Sequence, residues 1–386
     1  MPDDWNTCPP AVPARIGPRL PWRQATWHVT VSLVSGGHCA DGGGRVQLVP
    51  PLDRLATNHA DWRRPSEPCR AGVLLGADRS SACCRHQTGG DAVPLGSAAS
   101  ARPGDNRGWL DDRIPGWFAD YAAACFDAFG DRVTTWITFN EPITFVNLGY
   151  GAGTHAPGRC TNRGRCRHGN STSEPYLAGH NVILAHALAV QRFRRTFNQA
   201  DRTGHEVGIT LNANWGTPYD PASRADVAAA ERSMIWQLAW WADPIFLPAG
   251  SNDYPADMRT HCGQLLPELI DEQRSLLAGS ADFYGMNQYT TKYIRDRPDA
   301  ASGMRPYQSS PTGLDGTVIG PTAQSRWLNV VPWGLRANLN WVSQRYSNGG
   351  DGQPTAQSDK LKIYITENGC DVPGRERDRA AGGAAG

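Results

Sequence analysis

The pattern of apolar and polar positions changes character near residue 107. Residues 1–107 show no sustained period of 3.6 or 2 apart from a short apolar piece, WHVTVSLV, at Trp27–Val34, and they are rich in Gly, Pro, Arg, Ser and Cys. No domain is assigned there; the expectation is a disordered or non-native N-terminal region. From Trp109 onward the pattern is regular. It predicts a helix from Pro115 to Phe129 with Trp117, Phe118, Tyr121, Ala122, Cys125, Phe126 and Phe129 on one buried stripe, and Gly130 as its C-cap. Arg132–Asn140 (RVTTWITFN) then reads as a buried parallel strand, too short for a helix and dense in β-branched and aromatic residues, ended by Glu141-Pro142.

The alternation repeats. Helices predicted over about Glu174–Phe197, Arg224–Trp241 and Gly334–Tyr346 are followed by strands at Glu206–Asn212, Ala281–Tyr289 and Lys360–Glu367. Such a series belongs to the α/β class with a parallel sheet. Polar residues collect where these strands run out: Asn140 and Glu141, Asn212 and Asn214, Asn287 and Tyr289, Glu367 and Asn368. In a (β/α)8 TIM barrel all those ends face the side where catalysis sits. A doubly wound sheet would show a Gly-rich phosphate turn after an early strand, and none is present. The barrel is therefore the expected fold, incomplete in this chain because about four βα units are readable where a closed barrel needs eight. Residues 108–373 are taken as the partial barrel and 374–386 as a disordered tail.

Charge narrows the partner. Lys plus Arg number 38 against 37 Asp plus Glu, a net +1, so there is no global field to attract nucleic acid or an anionic membrane, and no apolar run is long enough to span one. No leader is visible in the first thirty residues. The expected partner is a neutral small molecule. The ten cysteines contain no pair of CxxC motifs or His-partnered set of the zinc kind, so no metal and no cofactor are expected. Cys160 and Cys166 flank the loop CTNRGRC, and the sequon Asn170-Ser171-Thr172 follows. Together they suit a secreted or organellar origin with one loop disulfide and a glycan at Asn170; the alternative is two free thiols beside an unused sequon. Cys125, on an apolar helix face, reads as a small core residue.

Two carboxylates at strand ends are what cleavage of a glycosidic bond requires, one to protonate the leaving oxygen and one to meet the charge developing at the anomeric carbon. Thr138-Phe139-Asn140-Glu141-Pro142 and Ile365-Thr366-Glu367-Asn368-Gly369 resemble the acid/base and nucleophile motifs of glycoside hydrolase family one, the β-glucosidase family. Collinear segments strengthen the resemblance: GAGTHAPGRC at 151–160, EPYLAGHNVILAHA at 174–187, WWADPIF at 240–246, DYPADMR at 253–259, DFYGMNQYT at 282–290 and PWGLRANL at 332–339. The cysteine loop is most similar to the plant and algal type.

The resemblance implies that Glu141 is general acid and then general base, and that Glu367 is the nucleophile of a retaining double displacement on an O-linked β-glucoside or oligosaccharide. Asn140 would bond the sugar 2-hydroxyl, Tyr289 would orient Glu367, and Asn287 would support the cluster. Glu367 is expected ionised beside its donors, and Glu141 protonated in an apolar setting next to a second carboxylate. A thioglycosidase of this type lacks the acid carboxylate, so Glu141 favours O-glycosides. His155, His180 and His186 read as structural, and Trp240, Trp241 and Trp333 as core or as sugar platforms. The sequence also departs from the family: residues 1–107 lack its sugar-binding Gln and its HWDLP-like His segment, and no eighth strand with its Trp and Glu follows ITENG. This suggests an incomplete or mistranslated product, and keeps a second reading open, a remnant that binds carbohydrate weakly without turnover. A metal-dependent barrel hydrolase is disfavoured by the lack of His-rich strand ends.

Overall fold

The structure is a computed structural model that describes residues 30–32, 72–74, 107–131, 133–197, 204–347 and 361–371. The expectations for most of 1–107 and for 374–386 lie outside the described residues. Two short strands from the N-terminal region, β1 (Thr30–Ser32) and β2 (Gly72–Leu74), do join the main sheet.

The predicted alternation is present. Helix α1 (Ile114–Phe129) leads into β3 (Thr135–Asn140) and the short α2 (Pro142–Val146). Then follow α3 (Glu174–Phe197), β4 (Glu206–Asn212), β5 (Trp215–Pro218), α4 (Arg224–Met234), α5 (Trp240–Phe246), α6 (Ala256–Cys262) and α7 (Asp271–Leu277). The last elements are β6 (Phe283–Asn287), β7 (Thr291–Asp296), β8 (Tyr307–Ser310), α8 (Pro332–Ser347) and β9 (Ile363–Glu367). The main sheet runs β1-β2-β3-β4-β6-β9, parallel from β2 onward, with β1 antiparallel on β2. Among the described residues it is open, with β9 at one edge. A small second sheet orders β5-β7-β8.

Aromatic packing explains why α1 and α3 cover the outer face of β3. Phe118 stacks on Phe139 with centroids 4.4 Å apart, and Phe126 meets Trp136 edge-on at 4.8 Å and Phe193 at 5.4 Å. Two expectations need correction. Trp117 is not on the buried stripe: it is 38% exposed, with the Arg113 guanidinium 4.8 Å over its ring, because it lies at the edge of the apolar arc where a cation can shield it. Gly130 is the C-cap of α1 as expected, with right-handed dihedrals, and its lack of a side chain is needed because Phe197 occupies the space a Cβ would fill. The helix expected over Arg224–Trp241 is helical throughout but not uniformly α: a π-helical turn at Ile235–Ala239 brings Trp236 and Leu238 into the core between α4 and α5, and the run continues to Phe246. Trp240 and Trp241 are core residues, packed 4.6 Å from each other.

Both strands that end in a candidate carboxylate carry a bulge just before it. On β3, Ile137 pairs with Gly208 but Asn140 with Thr210, so one extra residue is accommodated. Thr138 and Phe139 consequently both face helices, Thr138 bonding His186 of α3 at 2.7 Å and Phe139 packing on α1, while Asn140 turns toward β6. On β9, Ile365 pairs with Met286 but Glu367 with Asn287, which again inserts one residue.

Candidate active site

The C-terminal ends of β3, β4, β6 and β9 bring the predicted polar tips together. Glu141 follows β3 directly and has φ 49° and ψ 55°, the left-handed region, where it is the one non-glycine with positive φ among the described residues. That conformation costs about 1–2 kcal/mol for a side-chain-bearing residue and is held only where the surroundings over-determine it. Here the Glu141 amide donates to the Thr210 carbonyl of β4 at 2.9 Å, and Pro142, whose fixed φ suits a first helical position, starts α2 at once. The turn places the carboxylate over the sheet end.

Glu141 does not sit in an apolar setting. Thr144 Oγ1 donates to its Oε2 at 3.0 Å, and Asn287 Nδ2 donates to its Oε1 at 3.0 Å. Asn212 Nδ2 in turn donates to Thr144 Oγ1 at 3.0 Å, which commits the Thr144 proton to the carboxylate. The reason is the TFNEPIT spacing: one turn of α2 returns Thr144 to the carboxylate three residues back.

Asn287 is the hub. Its Nδ2 also donates to Asn140 Oδ1 at 3.0 Å, and its Oδ1 accepts from Thr366 Oγ1 at 2.6 Å. Both ends of this fully buried amide are therefore spoken for, and it links β3 to β9 through β6. Tyr289, two residues on, donates its hydroxyl to Glu367 Oε2 at 2.5 Å. Burial, then that hydrogen bond and the charge of Glu367, push the Tyr289 phenol far above its usual range, so it stays a donor. Gln288 N donates to the Glu367 carbonyl at 3.0 Å, and Asn368 Nδ2 to the Gln288 carbonyl at 2.6 Å, so backbone and side chain of the β9 end are both clamped to β6. Glu141 and Glu367 are 8% and 6% exposed.

Several participants were not visible as motifs: Thr144 and Thr366 as donors, and Trp327, which is 55% exposed and meets Tyr289 edge-on at 5.9 Å. Its proximity to the PWGLRANL segment was the only available signal. Trp333 is exposed, and His155 lies in an exposed loop. His180 and His186 are buried, bonded to Tyr254 and Thr138. Cys160 and Cys166 form a buried disulfide with Cα atoms 5.5 Å apart, and Cys125 is a buried thiol. No cluster of three or more His, Cys, Asp or Glu side chains suited to a metal occurs among the described residues. Among the described residues no helix is long and apolar enough to cross a membrane. A cleft of about 540 Å³ opens at the opposite ends of the strands, but its carboxylates are paired, Glu206 with Lys362 at 2.5 Å and Asp282 with Arg194 at 3.7 Å.

The family model for glycosyl hydrolase family 1 matches residues 103–380. The chain belongs to that family. Glycosyl hydrolase family 1 is thus the context for the site, as TFNEP and ITENG suggested, and the parallel strands among the described residues form an arc of its (β/α)8 barrel. Among relatives, β-glucosidase 40 of Arabidopsis thaliana is 40% identical over 277 residues, which cover 69% of this chain and 50% of that protein. The crystal structure of a β-glucosidase from the fungus Humicola insolens, in complex with glucose, is similar with TM-score 0.62 and 38% identity, covering 69% of this chain and 52% of that one. A rice β-glucosidase mutant in a covalent complex with glucose is similar with TM-score 0.62 and 37% identity, covering 71% and 55%. The chain spans about half the length of the curated relatives it matches.

Proposed function

We propose that this chain is a retaining β-glucosidase that hydrolyses O-linked β-glucosides by double displacement, with Glu367 as nucleophile and Glu141 as acid/base. The observation that carries this reading is that one short segment at the end of β6 holds both carboxylates, Asn287 donating to Glu141 and Tyr289 to Glu367. Glu367 attacks the anomeric carbon while Glu141 gives its proton to the departing glycosidic oxygen; Glu141 then removes a proton from water, which displaces Glu367. Tyr289 holds the attacking carboxylate ionised and aimed, and Asn140 supplies a contact to the 2-hydroxyl that strengthens in the transition state. Thr144 and Asn287, one donor on each oxygen of Glu141, hold that carboxyl group in place. A mechanism of this kind works with carboxylates roughly 5–5.5 Å apart. The substrate is a small-molecule or oligosaccharide β-glucoside.

A second reading is a family remnant that retains the site without turnover; its motive is that β9 has one neighbouring strand among the described residues. Covalent trapping separates the two. The purified chain is incubated with 2-deoxy-2-fluoro-β-glucosyl fluoride, which slows the second displacement, and digested for peptide mass spectrometry. A sugar on Glu367 is the expected result; an unlabelled sample that is soluble and melts cooperatively would establish the remnant.

A further inference from the structure

The segment between the disulfide and α3 has chemistry that the glycosidase reading does not use. Asn170-Ser171-Thr172 is the one Asn-x-Ser/Thr sequence in the chain, and it lies on the surface just after the Cys160–Cys166 ring. Asn170 is exposed. Its backbone carbonyl accepts from Glu174 N at 3.0 Å and so fixes the entry to α3. Its side-chain oxygen is also committed: Oδ1 accepts from the Thr172 amide at 3.0 Å and from Thr172 Oγ1 at 2.7 Å. The side-chain nitrogen makes no hydrogen bond among the described residues. Ser171 points the other way, into the loop, its hydroxyl donating to the Gly151 carbonyl at 2.6 Å and accepting from Thr161 N at 2.9 Å. The middle residue is thus an anchor, and Asn170 and Thr172 are presented together with the Asn amide polarised by the Thr hydroxyl at its oxygen.

The disulfide is a second, separate observation. It persists in an oxidising compartment, and that is also where oligosaccharide is transferred to Asn-x-Ser/Thr sequences. The structural role of Asn170 does not compete with modification. The turn uses the carbonyl oxygens, whereas transfer uses only the nitrogen.

From these observations we propose that Asn170 is an N-glycosylation site, carrying an oligosaccharide on the outer rim of the disulfide loop. In the transfer, the Asn170 Nδ2–C bond forms at the anomeric carbon of a lipid-diphosphate-linked oligosaccharide. The anomeric C–O bond to the diphosphate breaks, the lipid diphosphate leaves with that electron pair, and the amide proton passes to a base of the transferase. The proposal does not depend on catalytic activity of the chain.

The test is translation of the full chain behind a cleavable secretory signal in the presence of endoplasmic-reticulum microsomes, reading only the protease-protected fraction. One mobility shift, removed by endoglycosidase, is expected for the wild-type sequence and for Thr172→Ser, and lost in Thr172→Ala and Asn170→Gln. Peptide mass spectrometry should place the sugar on Asn170. A protected wild-type chain that migrates unshifted overturns the proposal, as does a shift that survives Asn170→Gln.

Discussion

Strands β3 and β9 each deliver a buried carboxylate to the same place, yet they are built on different terms. Strand β3 lies between β2 and β4, its residues from Trp136 to Asn140 are all buried, and its outer face is covered by the aromatic side chains of α1 and α3. Strand β9 has one neighbour, β6, among the described residues, and Ile365 in its middle is 43% exposed. Glu367 is nonetheless as buried as Glu141. The acid/base candidate is therefore positioned by a packed scaffold, and the nucleophile candidate by hydrogen bonds from a single strand and the residues that follow it. Preorganisation by packing and preorganisation by polar contacts can serve one site, but they fail differently.

The largest effect should come from Glu141→Gln. It is expected to lower kcat/KM for β-glucosides with alkyl leaving groups by about 10²–10⁴-fold while sparing glycosyl-enzyme formation from an activated aryl glucoside. Equal losses on both substrates would remove Glu141 from the acid role. Packing is compared directly by Trp136→Ala and Ile365→Ala in denaturant. The first should cost about 3–5 kcal/mol and the second stay within about 0.5 kcal/mol; comparable costs would mean that the β9 face is covered in solution.

Tyr289→Phe tests the polar half. Loss of a hydrogen bond to a charged group is worth about 1.5–3 kcal/mol, so kcat/KM should fall by about 10- to 150-fold with little change in unfolding midpoint. A fall in stability without a fall in rate would make Tyr289 a packing residue. The smallest effect is a slope with pH on the packed side. Burial pushes His186, behind β3, down to about 3 from an ordinary value of 6.5, and His180 down to about 4. The unfolded chain therefore binds protons that the folded one refuses, so stability is full above pH 6.5 and drains as pH falls from there toward the folded values. His186→Gln should flatten that decline by about 1.2 kcal/mol between pH 6 and pH 5, measured from denaturant midpoints. An unchanged slope would mean that His186 is not protonated on unfolding.

Much of this was legible in the sequence because the chemistry is local. Glu141 and Glu367 each sit in a short strand-end motif, and the polar tips at Asn212, Asn287 and Tyr289 marked the same side of the sheet. Helix α3 and strand β4 matched their apolar patterns end to end. What escaped depends on neighbours distant in sequence. A bulge shows only in pairing register, so alternation along RVTTWITFN could not reveal that Thr138 and Phe139 face the same side. Thr144 and Thr366 look like ordinary helix and strand residues until the fold brings carboxylate and amide to them. Trp117 was misplaced because periodicity does not register the arginine that shelters it, and the π-helical turn at Ile235–Ala239 leaves the apolar pattern unbroken.

The left-handed backbone at Glu141 makes the site observable without any substrate. That conformation survives only while β3 and β4 stay paired to their last residues, since the Glu141 amide is bonded to the Thr210 carbonyl. Its hydrogen exchange is therefore a gauge of how often the sheet end opens. A Glu141 amide that exchanges as slowly as the strand interiors would belong to a site that waits already assembled, whereas exchange at the rate of a fraying terminus would belong to one that must be closed by its sugar.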